Sequence, residues 1–293
     1  MTAAPAGSRL TYRPPLSWSD LLGFLGPRCI PGVEEVVDGT YRRAVVGEGP
    51  TRLLVARPQP ETAELLLSVS GGGDPEPHAA PMARLLDLGA NPGAVDAALA
   101  ADPDLAPLVA RAPGLRSPGA FDLFQLAVRA ILGQQISVPA ATTITGRLVR
   151  IAGSPLPDPP SPGLTHRFPT PAELAEADLR ELGVPGRRAA TLQILGGAMA
   201  SGELDLEGDP ATVIERLLAL PGLGPWTVSY IAMRGLGAGD ELPVTDLGIR
   251  RAAERLGLPA EPRALERRAQ AWRPYRSYAA HHLWASLGAA GGA

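Results

Sequence analysis

The chain has 293 residues, 45% hydrophobic and 19% charged, a globular composition with length for about two domains, which excludes a wholly disordered or coiled-coil protein. One cysteine, Cys29, excludes an internal disulfide, a multi-cysteine zinc site and a cysteine-ligated iron–sulfur cluster, and it reads as a buried spectator thiol. The net charge is −3 and all 27 basic residues are arginine; with no lysine present, mechanisms through a side-chain Schiff base or a Walker-type lysine are closed.

The N-terminus Met1 to Leu10 has no apolar signal core, and no apolar run approaches the roughly 18 residues of a membrane span, so the expectation is a soluble cytoplasmic protein without a membrane partner. After this short tail, Leu16 to Leu25 reads as a helix with Ser17 at its N-cap and Leu21, Phe24 and Leu25 on one face. Tyr41 to Val46, Arg52 to Arg57 and Glu64 to Val69 read as strands of an antiparallel meander, the first two joined by the turn signal Gly47-Glu-Gly-Pro50. Gly71 to Pro81 reads as a polar loop, and from Met82 onward strand signals give way to helix punctuation.

In that second part, Phe121, Phe124, Val128, Ile131 and Leu132 form a core stripe at helical spacing. Gly153 to Pro162 is an exposed proline-rich connection. Thr170-Pro171-Ala172-Glu173 carries an N-cap, a first-turn proline and a capping-box glutamate, and Asp209-Pro210 repeats the start signal. Segments Arg187 to Ala200 and Leu247 to Leu256 complete a helical array, giving an α+β fold: an N-terminal antiparallel-sheet domain over residues 1–95 and an all-α domain over 96–293. Charge follows this division, since residues 1–110 hold 8 Arg against 13 acids while residues 247–293 hold 8 Arg against 3 acids, a local face able to meet a polyanion.

The most informative stretch is Leu217 to Val228. An apolar helix ends at Leu220, Pro221-Gly222-Leu223-Gly224 makes a turn, and Pro225 begins the next helix, so this is a helix-hairpin-helix. Two glycines strip the turn of side chains and let backbone N–H groups at a helix N-terminus approach a phosphate. Downstream, Pro243-Val-Thr-Asp-Leu-Gly-Ile-Arg250 places Asp246 at a helix start, where it can serve as N-cap, as a functional carboxylate, or as both.

Hairpin, Gly/Pro-rich loop and aspartate in this order resemble the helix-hairpin-helix superfamily of DNA glycosylases, and within it the bacterial 3-methyladenine DNA glycosylase II group of AlkA type. The likeness extends over about residues 10–288 and includes Tyr12 to Phe24, Gly119-Ala-Phe-Asp122, Ala127 to Gln134, Phe168-Pro-Thr-Pro171, Trp272 to Tyr278 and His282-Leu-Trp284. The resemblance implies that Asp246 is the catalytic aspartate; that Trp226, Tyr230, Trp284 and Phe24 line a base pocket, with Leu247 where some relatives carry an aromatic residue; and that Gly222, Leu223, Gly224, Thr227 and Arg250 meet DNA. It also implies that Gln134-Gln135-Ile136 enters the gap left by the target base, although relatives can have leucine in place of Gln135, and which side chain fills the gap stays open. Main-chain carbonyls of Leu218, Leu220 and Leu223 would hold a monovalent Na+ or K+; no cofactor is otherwise required, the partner is double-stranded DNA with damaged bases, and the chain is expected to be a monomer.

The residues agree with these implied roles. A base inside a duplex must be extruded before its glycosidic bond is reached. Aromatic residues are only 4% of the chain, yet six of the 13 fall between Trp226 and Trp284, and their faces attract cationic rings. An N-alkylpurine carrying positive charge is already a good leaving group, so one carboxylate suffices. Strand-cutting members of the superfamily place a lysine where Trp226 stands, so a monofunctional enzyme is expected. His281-His282 point in different directions on a helix and are not expected to pair on a metal; Arg250, Arg251, Arg255, Arg273 and Arg276 are candidates for phosphate. The alternative is a non-catalytic helix-hairpin-helix DNA-binding or damage-sensing protein, which would have no use for Asp246 or an aromatic pocket. Which damaged base is preferred stays open.

Overall fold

A computed structural model describes residues 7–47 and 49–288. Five strands, β1 (Gly7–Thr11), β2 (Glu34–Val37), β3 (Thr40–Val45), β4 (Arg52–Gln59) and β5 (Glu64–Val69), form one antiparallel sheet in the order β1-β5-β4-β3-β2. The meander is where the alternation of the sequence placed it. The edge strands β1 and β2 are additions: β1 lies in the segment read as a tail and pairs with β5 across more than fifty residues, a partnership no local signal announces.

Helix α1 (Trp18–Leu25) starts after Ser17 as expected, but the Ser17 hydroxyl donates to Asp20 instead of capping a backbone N–H. Leu21, Leu22 and Leu25 of α1 join the sheet's inner face, with Leu54, Leu65 and Leu67, in one buried core that also takes Met82, Leu85 and Leu86. These last belong to α2 (Ala79–Leu85) and its end, so the segment read as a loop through Pro81 already turns into helix at Ala79.

The remaining helices are α3 (Pro92–Ala100), α4 (Ala106–Arg111), α5 (Leu123–Leu132), α6 (Val138–Ala152), α7 (Pro171–Glu176), α8 (Gly186–Ala200), α9 (Pro210–Ala219), α10 (Pro225–Gly235), α11 (Leu247–Arg255), α12 (Pro262–Arg268) and α13 (Arg276–Gly288). The proline-rich connection after α6 carries a two-stranded β6 (Ser154–Pro155) and β7 (His166–Arg167), so strand structure does recur beyond Met82. The caps read at Asp209 and Thr170 are made, Asp209 accepting from Thr212 N and Thr170 and Glu173 closing a reciprocal capping box; Asp122, not read as a cap, accepts from Gln125 N at the start of α5.

The helices divide between two cores. One surrounds α5, which packs against α6, α8 and α10; the other joins α3 and α4 to α11, α12 and α13 around Trp272. The loop before α5 is clamped from both sides: Arg84 of α2 donates to the carbonyls of Ala120 and Phe121, and Arg234 of α10 to those of Pro118 and Gly119. A Cβ on Gly119 would stand 2.4 Å from the Arg84 carbonyl oxygen, so glycine is what lets the loop pass there. Phe24, Tyr230 and Trp284 fringe the three cores, with Tyr230 packed against both helical ones, and a large concavity opens at this meeting point.

Candidate active site

The concavity is a cleft of about 1560 Å³ between the α9–α10 hairpin, the loop after α5, the start of α8 and the start of α11. Its floor is set by α10. Pro225 occupies the first turn, and Trp226 and Tyr230, four residues apart, stack at 5.6 Å with planes 13° apart, so one face of Tyr230 is covered by Trp226. Trp284 of α13 meets Tyr230 edge-on at 6.3 Å. His281, one helical turn before Trp284, packs edge-on against both Phe24 and Trp284, and burial holds its pKa well below 6.5. His281 and His282 are both buried, and His281 Nε2 and both His282 ring nitrogens have no hydrogen-bond partner among the described residues.

Among the described residues, Asp246 is the one acidic residue lining the cleft. It is the N-cap of α11, and its Oδ1 accepts from Ile249 N at 2.9 Å and from Trp284 Nε1 at 3.0 Å. Both readings of Asp246, cap and functional carboxylate, are thus compatible in one geometry: Oδ1 is anchored while Oδ2 has no hydrogen bond to the described residues. The helix N-terminus and the indole N–H together fix the position of the carboxylate on the cleft wall. Gly248 makes room for this arrangement, because a Cβ there would stand 3.0 Å from Asp246 Oδ1 and 3.1 Å from the Trp284 ring.

The opposite wall is backbone. Gly222 has φ +89°, and a Cβ would meet Thr191 Oγ1 at 2.0 Å, so the turn tolerates no side chain. Gly224 has ordinary φ and open space around it, so nothing within the protein requires its bare backbone. Gln134 donates from Nε2 to the Gly222 carbonyl and to Thr227 Oγ1, and Arg188 donates to the Gln134 carbonyl, which locks the loop after α5 to the hairpin. Gln135 projects from that lock, exposed, with φ +60°; Ile136 is half-buried beside it.

Six arginines line the cleft: Arg28, Arg129, Arg187, Arg188, Arg234 and Arg251. Arg234 Nη1 donates to the Tyr230 hydroxyl at 2.9 Å. Burial pushes the Tyr230 phenol up, but Arg234, Arg28 and Arg129 together outweigh it and bring its pKa below 10. Burial also draws the Arg28 guanidinium down to about 10 against the opposing pull of Tyr230.

Of the residues singled out in the sequence, the cleft brings together Asp246, Leu247, Trp226, Tyr230, Trp284, Gln134, Gln135, Ile136, Gly222, Gly224 and Thr227. Leu247, 57% exposed, stands at its mouth. Phe24 does not reach the lining; the Arg28 guanidinium covers its ring at 3.8 Å. Leu223 is buried in the helical core, Leu218 is exposed outside the cleft, and Thr227 is buried beneath Gln134. Arg250 is not on the cleft: its Nε donates to the Ala260 carbonyl, and its neighbour Arg251 lines the cleft instead. Arg273 and Arg276 are held by Asp240, and Arg268 by Asp102 and Asp104, so much of the basic C-terminal face is neutralised internally. The positive surface lies in the cleft, contributed by four separate helices, α5, α8, α10 and α11, and by the turn after α1; of its arginines, Arg251 alone was among the phosphate candidates read from the sequence.

Fold and site together define the class. The chain belongs to the HhH-GPD superfamily of base excision DNA repair proteins, whose family model matches residues 128–277, and the AlkA N-terminal domain matches residues 8–122. Among particular relatives, it is 37% identical over 286 residues to DNA-3-methyladenine glycosylase 2 of Escherichia coli, covering 95% of this chain and 97% of that one. It is 44% identical over 288 residues to the probable bifunctional transcriptional activator/DNA repair enzyme AlkA of Mycobacterium tuberculosis, covering 98% of this chain and 58% of that protein, so it spans little more than half of that relative. The solved 3-methyladenine DNA-glycosylase from Archaeoglobus fulgidus shares the fold, with a TM-score of 0.79 at 24% identity over 94% of this chain and 97% of that one.

Proposed function

We propose that the chain is a monofunctional DNA glycosylase: it turns cationic N-alkylpurines of the 3-methyladenine type out of duplex DNA and hydrolyses the N-glycosidic bond, leaving an abasic site. The observation that carries this is Asp246, a carboxylate fixed through one oxygen to a helix N-terminus and to Trp284, in a cleft whose other charged groups are arginines and whose aromatic groups are Trp226, Tyr230 and Trp284. The names of the relatives support it. Duplex backbone lies along the hairpin, where Gly224 leaves room for a phosphate against the N-terminus of α10. Gln135, at the exposed apex of its loop, takes the space of the extruded nucleotide.

At the pocket, Asp246 stabilises the sugar as positive charge develops on it and takes the proton of the attacking water. With no lysine in the chain and Trp226 at the hairpin's exit, no side-chain amine is present to form the imine that precedes strand cleavage. The hairpin carbonyls fit a monovalent cation: no backbone N–H donates to those of Leu218 or Leu223, and the Leu220 carbonyl accepts from Leu223 N. Held there, Na+ or K+ would bridge hairpin to phosphate. We divide the chain near residue 95, where Val95 and Leu99 already pack with the C-terminal helices, and read it as a monomer acting on DNA in the cytoplasm.

The test is release of free base from methylated duplex DNA by wild type and Asp246→Asn, with alkali-independent nicking measured separately. Base release that collapses in the variant, with no nicking by either protein, is expected. DNA binding without base release from methylated duplexes would overturn the reading in favour of a non-catalytic damage sensor.

A further inference from the structure

Arg28, Arg129 and Arg234 make up an arrangement that phosphate binding leaves unexplained. Arg28 and Arg234 share the Phe24 ring just behind the cleft lining, at 3.8 Å and 4.9 Å from its centroid, Arg234 donates to the Tyr230 hydroxyl on the cleft floor, and Arg129 lines the same cleft. None of the three pairs with a carboxylate among the described residues. Glu34, whose charge reaches Arg129, is already tied to Arg43 and to the Tyr41 hydroxyl. Arg129 Nη1 is buried and has no hydrogen-bond partner, while its Nη2 donates to Thr142. Three like charges lining one cleft, one with an orphaned donor, oppose folding and oppose a cationic ligand. Phe24 shows this directly, since the face expected to attract a cationic base is already taken by Arg28.

Resting on the glycosylase reading, we propose that these arginines form the positive pole, and Asp246 the negative pole, of a field along the glycosidic bond that assists heterolysis and sets how lesion charge divides between binding and rate. In the step, the bond between the sugar C1′ and the base nitrogen breaks and its electron pair leaves with the base. A water oxygen bonds to C1′, and its proton passes to Asp246 and on to solvent. A cationic base departs neutral; a neutral base departs as an anion and takes a proton from solvent. In both cases the base gains one unit of negative charge at the arginine pole while the sugar gains positive charge at the Asp246 pole. The field therefore assists both departures alike. It distinguishes them earlier: entry of a cationic base is opposed by the arginines, and that repulsion is relieved as the bond breaks, whereas entry of a neutral base is not opposed.

The test uses the full chain in single-turnover kinetics on two duplexes, one holding cationic 7-methylguanine and one holding neutral hypoxanthine. Arg129→Met is expected to slow the saturated rate by about 10- to 100-fold on each lesion that wild type releases. On the 7-methylguanine duplex it is expected to lower, not raise, the half-saturating enzyme concentration. Arg129→Lys, which keeps the charge and loses the planar fork, is expected to restore most of the rate, which a packing role would not predict. An unchanged saturated rate in Arg129→Met, or a slower rate with weaker half-saturation on the cationic lesion that lysine does not rescue, would overturn the proposal and leave the glycosylase reading standing. Release of neither base by wild type would overturn both.

Discussion

The two walls of the cleft are made of different material. The hairpin wall presents backbone: Gly222 is forced bare by Thr191, Gly224 is bare without an internal cause, and Gln134 fastens the neighbouring loop to it. The pocket wall presents side chains whose positions depend on one another, from Asp246 through Trp284 and Tyr230 to Arg234. A backbone wall can grip any sequence, because every nucleotide offers the same phosphate. A wall of coupled side chains can select, because one displaced member shifts the next. Grip and selection should therefore separate under mutation.

The largest expected effect is on the pocket side. Asp246→Asn should raise the barrier to base release by about 3 to 4 kcal/mol while DNA affinity stays near wild type, measured by single-turnover release and by binding to an abasic-site duplex; a parallel loss of affinity would break the separation. Next comes a control remote from both walls. Asp87 accepts from Ser117 N and from the Tyr278 hydroxyl, and burial raises its pKa to about 6 from 3.8. Because the native state holds this proton more tightly than the unfolded chain, the group's contribution is full below about pH 4 and lost as pH rises through about 6. Stability of Asp87→Asn relative to wild type should thus improve by on the order of 2 to 3 kcal/mol between pH 4 and pH 7 in denaturant titrations, with base release unchanged at any one pH.

On the hairpin side, Gly222→Ala should cost about 1–3 kcal/mol, seen as a lower melting temperature and weaker DNA binding, because the left-handed backbone and the Thr191 contact both resist a methyl group. Gly248→Ala sharpens the comparison from the pocket side. Its methyl would press on Asp246 Oδ1 and the Trp284 ring, so release should slow about tenfold with affinity kept. The smallest effect separates neighbours: Arg251→Met should reduce the salt dependence of DNA binding by about one ion, whereas Arg250→Met, whose guanidinium is held by the Ala260 carbonyl, should leave it unchanged.

How legible these features were depends on how local they are. The meander, the capping box at Thr170, the caps at Asp209 and Asp246 and the hairpin are each fixed by residues a few positions apart, and they were readable directly. Strand β1 was not, because its partner β5 lies beyond three intervening strands. The role of Gly248 was hidden because its constraint comes from Trp284, on another helix. Arginine chemistry was misplaced for a related reason: counting charges along 247–293 cannot show that Asp240, Asp102 and Asp104 fold back onto Arg273, Arg276 and Arg268. Nor can it show that Arg28 and Arg234, some two hundred residues apart, share the Phe24 ring.

The placement of the indoles has a practical consequence. Of the chain's four tryptophans, Trp226 and Trp284 line the cleft, whereas Trp272 is sealed against Asp102 and Trp18 is fastened to the Gly39 carbonyl in the sheet domain. Two of the four indoles thus stand where a bound base would meet them. On the glycosylase reading, a base seated against Trp226, or a shift of Trp284 on Asp246, is expected to change tryptophan emission. Stopped-flow emission on a damaged duplex is the unlabelled measurement that would time the arrival of a nucleotide apart from the breakage of its bond.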